Sequence, residues 1–444
     1  MRHGPRFRVP EMRHLDPLAV SPLDWQIKSE TPVDLQAQLL EHLRRKMKDA
    51  AADADAKVAA RPLRPPVGKI EDFVQGFEAQ SLFGRHFEAE RSWSPRQRHG
   101  TTIIGDLNGL PPDLFDGISN GELRASPPES WLFLDTETTG LAGGSGTCAF
   151  LIGVGRITPG GFRLRQFFMR DYGEESSQLH ALREEIMSAE LLITYNGRTF
   201  DVPLLESRYR MTRSRPPFEE IPHLDLLHGA RRLWRLRFES CKLTDLEQRI
   251  LGHSREEDVP GELIPEIYFD FLRTGRAARL AGVFLHNALD IVSLACLAGV
   301  VPWAFRDPAA CKLSHGAELV SLGRWLRQSG RVDEAVGLFQ RALKLPLSDE
   351  LMFRTIWDLA EIEKKRKAHD AAVALLTDLA ACRNPHRVAA LEELAKHYEH
   401  REKSYAMALE FTETAIGIDP CPELLRRRDR LKKLAAVPVT PRLL

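Results

Sequence analysis

The run Phe133-Leu134-Asp135-Thr136-Glu137-Thr138-Thr139-Gly140-Leu141 sets an apolar lead-in against two carboxylates two residues apart, with a glycine just beyond. Such a pattern predicts a buried strand running into a turn, and positions i and i+2 of a strand share a face. Asp135 and Glu137 then point together. Two anions held that close need a proton or a metal between them, and the run itself contains no lysine or arginine to neutralise them. The expectation is a divalent-metal site.

A metal cage needs more oxygens than two side chains carry, and two later segments supply them. Leu191 to Tyr195 reads as a strand, Asn196-Gly197 as a turn, and Asp201 follows at a helix start. Val283 to Leu294 has helical apolar spacing, with His286 and Asp290 four residues apart and hence on one face. Taken singly these features are ordinary. Asp201 alone suits a helix N-cap, Asn196-Gly197 alone is a common turn, and a histidine four before an aspartate is often a local hydrogen-bonded pair. It is their combination and order that point to chemistry.

In that combination the chain resembles the DnaQ-like (DEDD) 3′ to 5′ exonuclease superfamily of RNase H-like folds. The shared elements are Asp-x-Glu on the first strand, Asn-Gly-x-x-Phe-Asp before a helix, and a late helix carrying a base four residues before the last aspartate. His286 stands where B-family proofreading domains usually carry tyrosine. The resemblance is closer to the bacterial YprB-type predicted exonucleases, through Asp-Thr-Glu-Thr-Thr-Gly-Leu, the glycine-rich stretch 143–146 and His-Asn-x-x-Asp.

The resemblance implies two divalent cations, Mg²⁺ or Mn²⁺, held by Asp135, Glu137, Asp201 and Asp290. Asp135 would bridge them, and His286 would act as general base toward the attacking water. It further implies substrate contacts from Thr138, Gly140, Leu141, Asn196, Phe200 and Arg208. The expected activity is hydrolysis of phosphodiester bonds at a single-stranded 3′ end of DNA or RNA. Two alternatives stay open: a non-catalytic nucleic-acid-binding adaptor, and a hydrolase of short oligonucleotides.

At 444 residues the chain exceeds one compact core. The expected architecture is an α/β RNase H-like mixed sheet flanked by helices at 128–303, then an all-α tetratricopeptide-like repeat domain at 312–420. A partly flexible N-terminal accessory region (1–127) precedes them and a basic tail (421–444) follows. Within 1–127, Leu35, Leu39, Leu43 and Met47 predict an amphipathic helix, Arg61 to Pro66 a stiff linker, and Thr101 to Ile104 a short strand. Further strands are expected at 150–157, 162–169 and 191–195, with a helix at 176–189. In the C-terminal part Leu322-Gly323, Leu326, Ala335, Phe339 and Ala342 match the spacing of a tetratricopeptide helix pair. Leu359-Ala360, Ala372, Leu376 and Leu379 repeat it, and Leu394-Ala395, Tyr398, Ala408 and Ala415 repeat it again. This part reads either as a surface for a protein partner or as a stabilising cap.

The 62 basic and 62 acidic residues cancel, so net charge does not advertise nucleic-acid binding. From Arg208 to Lys242, however, nine basic residues face four acidic ones, interleaved with Phe218, Trp234 and Phe238. That segment reads as a track for phosphates and bases or as a solvated helix face whose aromatics turn inward. The six cysteines lack any C-x-x-C spacing, which argues against zinc ribbons and disulfide frameworks. No uninterrupted run of 18 apolar residues and no apolar signal core after Met1 are present. A cytoplasmic location with no membrane partner is expected.

Overall fold

A computed structural model describes residues 68–436 except 120, 141–145, 257 and 310–312. The helix expected around Leu35 to Met47 and the linker at Arg61 to Pro66 lie outside the described residues, as does Leu141.

Seven strands form one mixed sheet in the order β1-β2-β7-β6-β5-β8-β9. They are β1 (Gly76–Ser81), β2 (Gly84–Trp93), β5 (Trp131–Thr138), β6 (Ala149–Thr158), β7 (Gly161–Phe168), β8 (Leu191–Thr194) and β9 (His223–Asp225). A separate hairpin is made by β3 (Arg98–His99) and β4 (Thr102–Ile103), the latter within the strand expected at 101–104. β5, β6 and β7 pair antiparallel, whereas β8 joins β5 in parallel. Parallel neighbours need a crossover connection, here helix α1 (Glu175–Met187).

Strand β5 is apolar throughout its first half because both of its faces are covered. Trp131 and Phe133 point into a core shared with the long helix α5 (Leu280–Arg306). Leu132 and Leu134 point into the opposite core, against Leu179, Leu182 and Ile186 of α1 and Leu205 and Tyr209 of α2 (Asp201–Met211). Continuing that alternation, Asp135 and Glu137 emerge on the α5 side and Thr136 on the α2 side. α5 is long and apolar enough to cross a membrane, with a mean hydropathy of 1.9, but 78% of its most apolar window is buried within the protein. Its apolarity serves the core on all sides.

The boundary expected at 127 does not separate two units. β2 pairs with β7 over seven residue pairs, and Phe87 is wholly buried among the rings of Phe168 and Phe284. Residues 76–93 therefore extend the central sheet. Pairing between strands so far apart in the chain leaves no local signature in the sequence.

Beyond the sheet, helices α3 (Leu226–Trp234) and α4 (Ile264–Thr274) lead to α5. An all-helical region follows. α6 (Gly316–Gln328) pairs with α7 (Val332–Ala342), α8 (Asp349–Lys365) with α9 (His369–Ala381), and α10 (Arg387–His400) with α11 (Tyr405–Ile418). These helical repeats pack through small residues. A Cβ on Gly323 would lie 2.7 Å from the Phe339 ring, and Ala335, Ala342, Ala360, Ala395, Ala408 and Ala415 are all fully buried. The supposed basic tail is instead helix α12 (Pro422–Ala435) as far as it is described. It buries Leu424 and Leu431 and directs Arg427 and Arg430 onto the buried Glu399. Trp234 and Arg237 both donate to Glu318 of α6, fastening the repeats to the sheet domain.

Candidate metal centre and active site

Four acids and a histidine, drawn from three separate elements, gather at the C-terminal end of β5. Asp135 and Glu137 come from β5, Asp201 from the first turn of α2, and His286 and Asp290 from successive turns of α5. Glu137, His286 and Asp290 each offer a ligand atom within 4.8 Å of the other two. Asp201 is tied to β5 by Thr136, whose Oγ1 donates to its Oδ1 at 2.5 Å. Asp135 is oriented by Asn287, whose Nδ2 donates to its Oδ2 at 3.0 Å. Asn287 is in turn held by Gln166, which donates to Asn287 Oδ1 at 2.9 Å and to the Phe284 carbonyl at 2.8 Å.

Crowding of acids has the expected electrostatic result. Burial, then the charges of Asp290, Asp201 and Glu137, push the Asp135 carboxyl well above the usual carboxylate range. Burial, Asp290 and Asp201 do the same to Glu137. Burial lifts Asp201 to about 6 against the hydrogen bond from Thr136. Such a set of oxygen donors, each costly to ionise unaided, suits a hard divalent cation, which would favour the charged form of all of them.

In the protein alone, one guanidinium does part of that work. Arg255 reaches Asp290 through Nη2, Asp258 through Nη1 at 3.1 Å, and Glu247 through Nε at 2.9 Å. Asp258 also receives Nδ1 of His286 at 2.9 Å, leaving the histidine's Nε2 toward Asp290 at 3.5 Å. Sequence reasoning missed Thr136, Gln166, Asn287, Arg255 and Asp258. Arg255 and Asp258 sit in an irregular charged stretch with no periodicity to mark them. Asn287 was legible only as part of His-Asn-x-x-Asp.

Around the acids, Thr138 Oγ1 bonds the Gly140 carbonyl at 2.9 Å, just past an irregularity in the β5–β6 ladder at Glu137/Thr138. Asn196 adopts a left-handed φ of 65°, and the turn is held by Asp225, which accepts from the Asn196 and Arg198 amides at 2.8 and 3.1 Å. Phe200, next to Asp201, is 55% exposed. Arg208 differs from expectation: it makes a bidentate pair with Glu175 at 2.6 and 2.7 Å, tying α2 to α1. A guanidinium so committed is not a free phosphate ligand.

The basic segment is divided in the same way. Phe218, Trp234 and Phe238 are buried in the cores, so they are not stacking platforms. Arg231, Arg235 and Lys242, by contrast, line a groove of about 690 Å³ together with Tyr195 and Asn196.

A sequence model of the RNase H superfamily matches residues 132–301, the stretch that carries all five candidate catalytic groups. The uncharacterized protein YprB of Bacillus subtilis (strain 168) is 33% identical over 291 residues, covering 65% of this chain and 70% of YprB. This chain belongs to the YprB family. Its relationship to YprB thus extends beyond the RNase H-like segment, since the matched length exceeds that segment. Among solved structures, the family B DNA polymerase from the hyperthermophilic archaeon Pyrobaculum calidifontis aligns with 48% of this YprB relative and 30% of its own chain. The identity there is 16% and the TM-score 0.32.

Proposed function

We propose that this protein is a metal-dependent 3′ to 5′ exonuclease that hydrolyses phosphodiester bonds at single-stranded nucleic-acid ends and releases nucleoside 5′-monophosphates. The observation that carries the reading is the convergence of Asp135, Glu137, Asp201, His286 and Asp290 at one sheet end. Asp135, Glu137, Asp201 and Asp290 would hold two divalent ions, Mg²⁺ or Mn²⁺, which when bound offset the negative charge of the phosphate and of the developing transition state. His286 is positioned by Asp258 through Nδ1. Its Nε2 is therefore the atom that accepts the proton of the attacking water. Thr138, Gly140, Leu141, Asn196 and the exposed Phe200 would seat the terminal nucleotide. Arg231, Arg235 and Lys242 would carry the phosphates leading to it. We further propose that the helical repeats, of tetratricopeptide-like type, recruit a protein partner, and that the protein works in the cytoplasm.

Incubating the purified protein with matched end-labelled DNA and RNA strands and Mn²⁺ tests this. Stepwise shortening from the 3′ end, lost in Asp135→Ala, is expected. No cleavage, or equal cleavage by the variant, sinks it. One observation favours a second reading, a nucleic-acid-binding adaptor: Arg255 already neutralises Asp290. Calorimetric titration with Mn²⁺ separates the two, because an adaptor shows no two-ion binding that disappears in Asp201→Ala.

A further inference from the structure

A second group of ligand-type side chains lies outside the acidic cluster, on the far side of Arg255. The β3–β4 hairpin is pressed against the π-helical turn Glu247–Leu251. Thr101 N donates to the Leu251 carbonyl at 2.8 Å, and a Cβ on Gly100 (φ +55°) would come within 2.0 Å of that same oxygen. Gly252, with φ 67°, then turns the chain back so that His253 returns over Glu247. His99 and His253 end with ring centroids 4.1 Å apart. The Nε2 atoms of His99 and His253 lie 3.9 and 3.5 Å from one and the same oxygen, Glu247 Oε1.

Glu247 is 1% exposed, and among the described residues its Oε1 is buried with no hydrogen-bond partner, whereas Oε2 is fully occupied by Arg255. Leaving a buried acceptor unmet is costly, and more so when it is charged, so an atom aimed at two imidazole nitrogens calls for an occupant. Metal–ligand bonds of about 2.0–2.1 Å in a tetrahedron place ligand atoms roughly 3.3 Å apart. The observed separations need only a small closure to reach that.

We propose that His99, Glu247 and His253 form a zinc-type metal site, distinct from the acidic cluster, that staples the β3–β4 hairpin to the π-helical turn. Two imidazoles and one carboxylate are a borderline-soft donor set that suits Zn²⁺ rather than Mg²⁺. The metal takes over His99 Nε2, which otherwise meets Ser293 Oγ at 2.6 Å, and the freed hydroxyl is left beside the open fourth position. Arg255 on the other carboxylate oxygen of Glu247 acts as the outer partner that orients a ligating carboxylate. Since Arg255 also holds Asp290, the staple fixes the anchor of a side chain that reaches the acidic cluster. His253, with its side chain 28% exposed, gives the ion its way in.

Metal binding by His99, Glu247 and His253 does not require exonuclease activity, so the two can fail separately. The full-length protein carrying Asp135→Asn, Glu137→Gln and Asp201→Asn, which removes three of the four carboxylates of the acidic cluster, is loaded with Zn²⁺ or Co²⁺ and dialysed. One retained equivalent, with the strong visible absorption of tetrahedral Co²⁺, is expected. Adding His253→Gln should weaken binding by roughly 100-fold or more, since even an outer partner of a metal ligand is worth 10–100-fold. As a measurement on the same folded protein, Zn²⁺ should shield His253 from diethylpyrocarbonate, read by mass spectrometry. No retained metal, binding unchanged by His253→Gln, or modification of His253 at the same rate with and without Zn²⁺ each overturns the proposal.

Discussion

Asp258 Oδ1 and His286 Nδ1 lie 2.9 Å apart, joining an irregular charged loop to the helix that carries Asp290, the last aspartate of the candidate site. The carboxylate fixes which imidazole nitrogen faces the acids. Asp258→Asn keeps the shape but can present either end of its amide, so the imidazole loses its charge partner. Hydrolysis by the variant should fall roughly 10-fold to 100-fold, part of the 10²–10⁴ that a positioned base contributes. An unchanged rate would show that Asp258 does not position His286.

Arg255 joins two acids that would otherwise be uncompensated, Glu247 and Asp290. Removing one partner of a buried ionic network costs about 3–5 kcal/mol. Arg255→Gln should therefore lower the unfolding free energy of the metal-free protein by roughly 3 kcal/mol, measured by urea denaturation in chelator. Divalent-ion affinity of the acidic cluster should rise in the same variant, because Asp290 no longer has to release a guanidinium. Calorimetry reads that directly.

Asp201 has a folded pKa raised to about 6, chiefly by burial. An acid that binds its proton more tightly when folded destabilises the fold as pH rises from its unfolded value near 4 through about 6, and the loss persists above that. Asp201→Asn removes this titration. In chelator at pH 8 the variant should be more stable than wild type, on the order of 1–2 kcal/mol after allowing for its weaker bond to Thr136. At pH 4 the two should nearly coincide. Thermal melts across that range check the sign, and Mn²⁺ should reverse the ranking at pH 8.

Gly153 pairs with Asp135 across the sheet, and a Cβ there would meet Asn287 Oδ1 at 2.2 Å and Ile291 Cδ1 at 2.3 Å. α5 can approach the sheet only because that position has no side chain. Gly153→Ala should cost roughly 3 kcal/mol by overpacking and displace Asn287 from Asp135. Gly337→Ala provides the contrast. It lies within α7 with open space around it, and should stabilise by roughly 0.5–1 kcal/mol. Denaturation midpoints of the two variants should move in opposite directions.

Sequence by itself determined the local elements of this protein. The apolar run of β5 with Asp135 and Glu137 on one face, the crossover helix, the core helix with His286 and Asp290 on one face and the helical pairs of the C-terminal half all follow periodicities of two or 3.6 residues. Such periods exist because each element must bury one face or both. Only the tertiary structure decided the rest: β2 against β7, Arg208 against Glu175, the inward turn of Phe218, Trp234 and Phe238, and the meeting of Arg255, Asp258 and Glu247 with the acids. Those contacts come from loop closure and long-range pairing. Their strength depends on which distant groups share a low-dielectric interior, and no local spacing of residues encodes that.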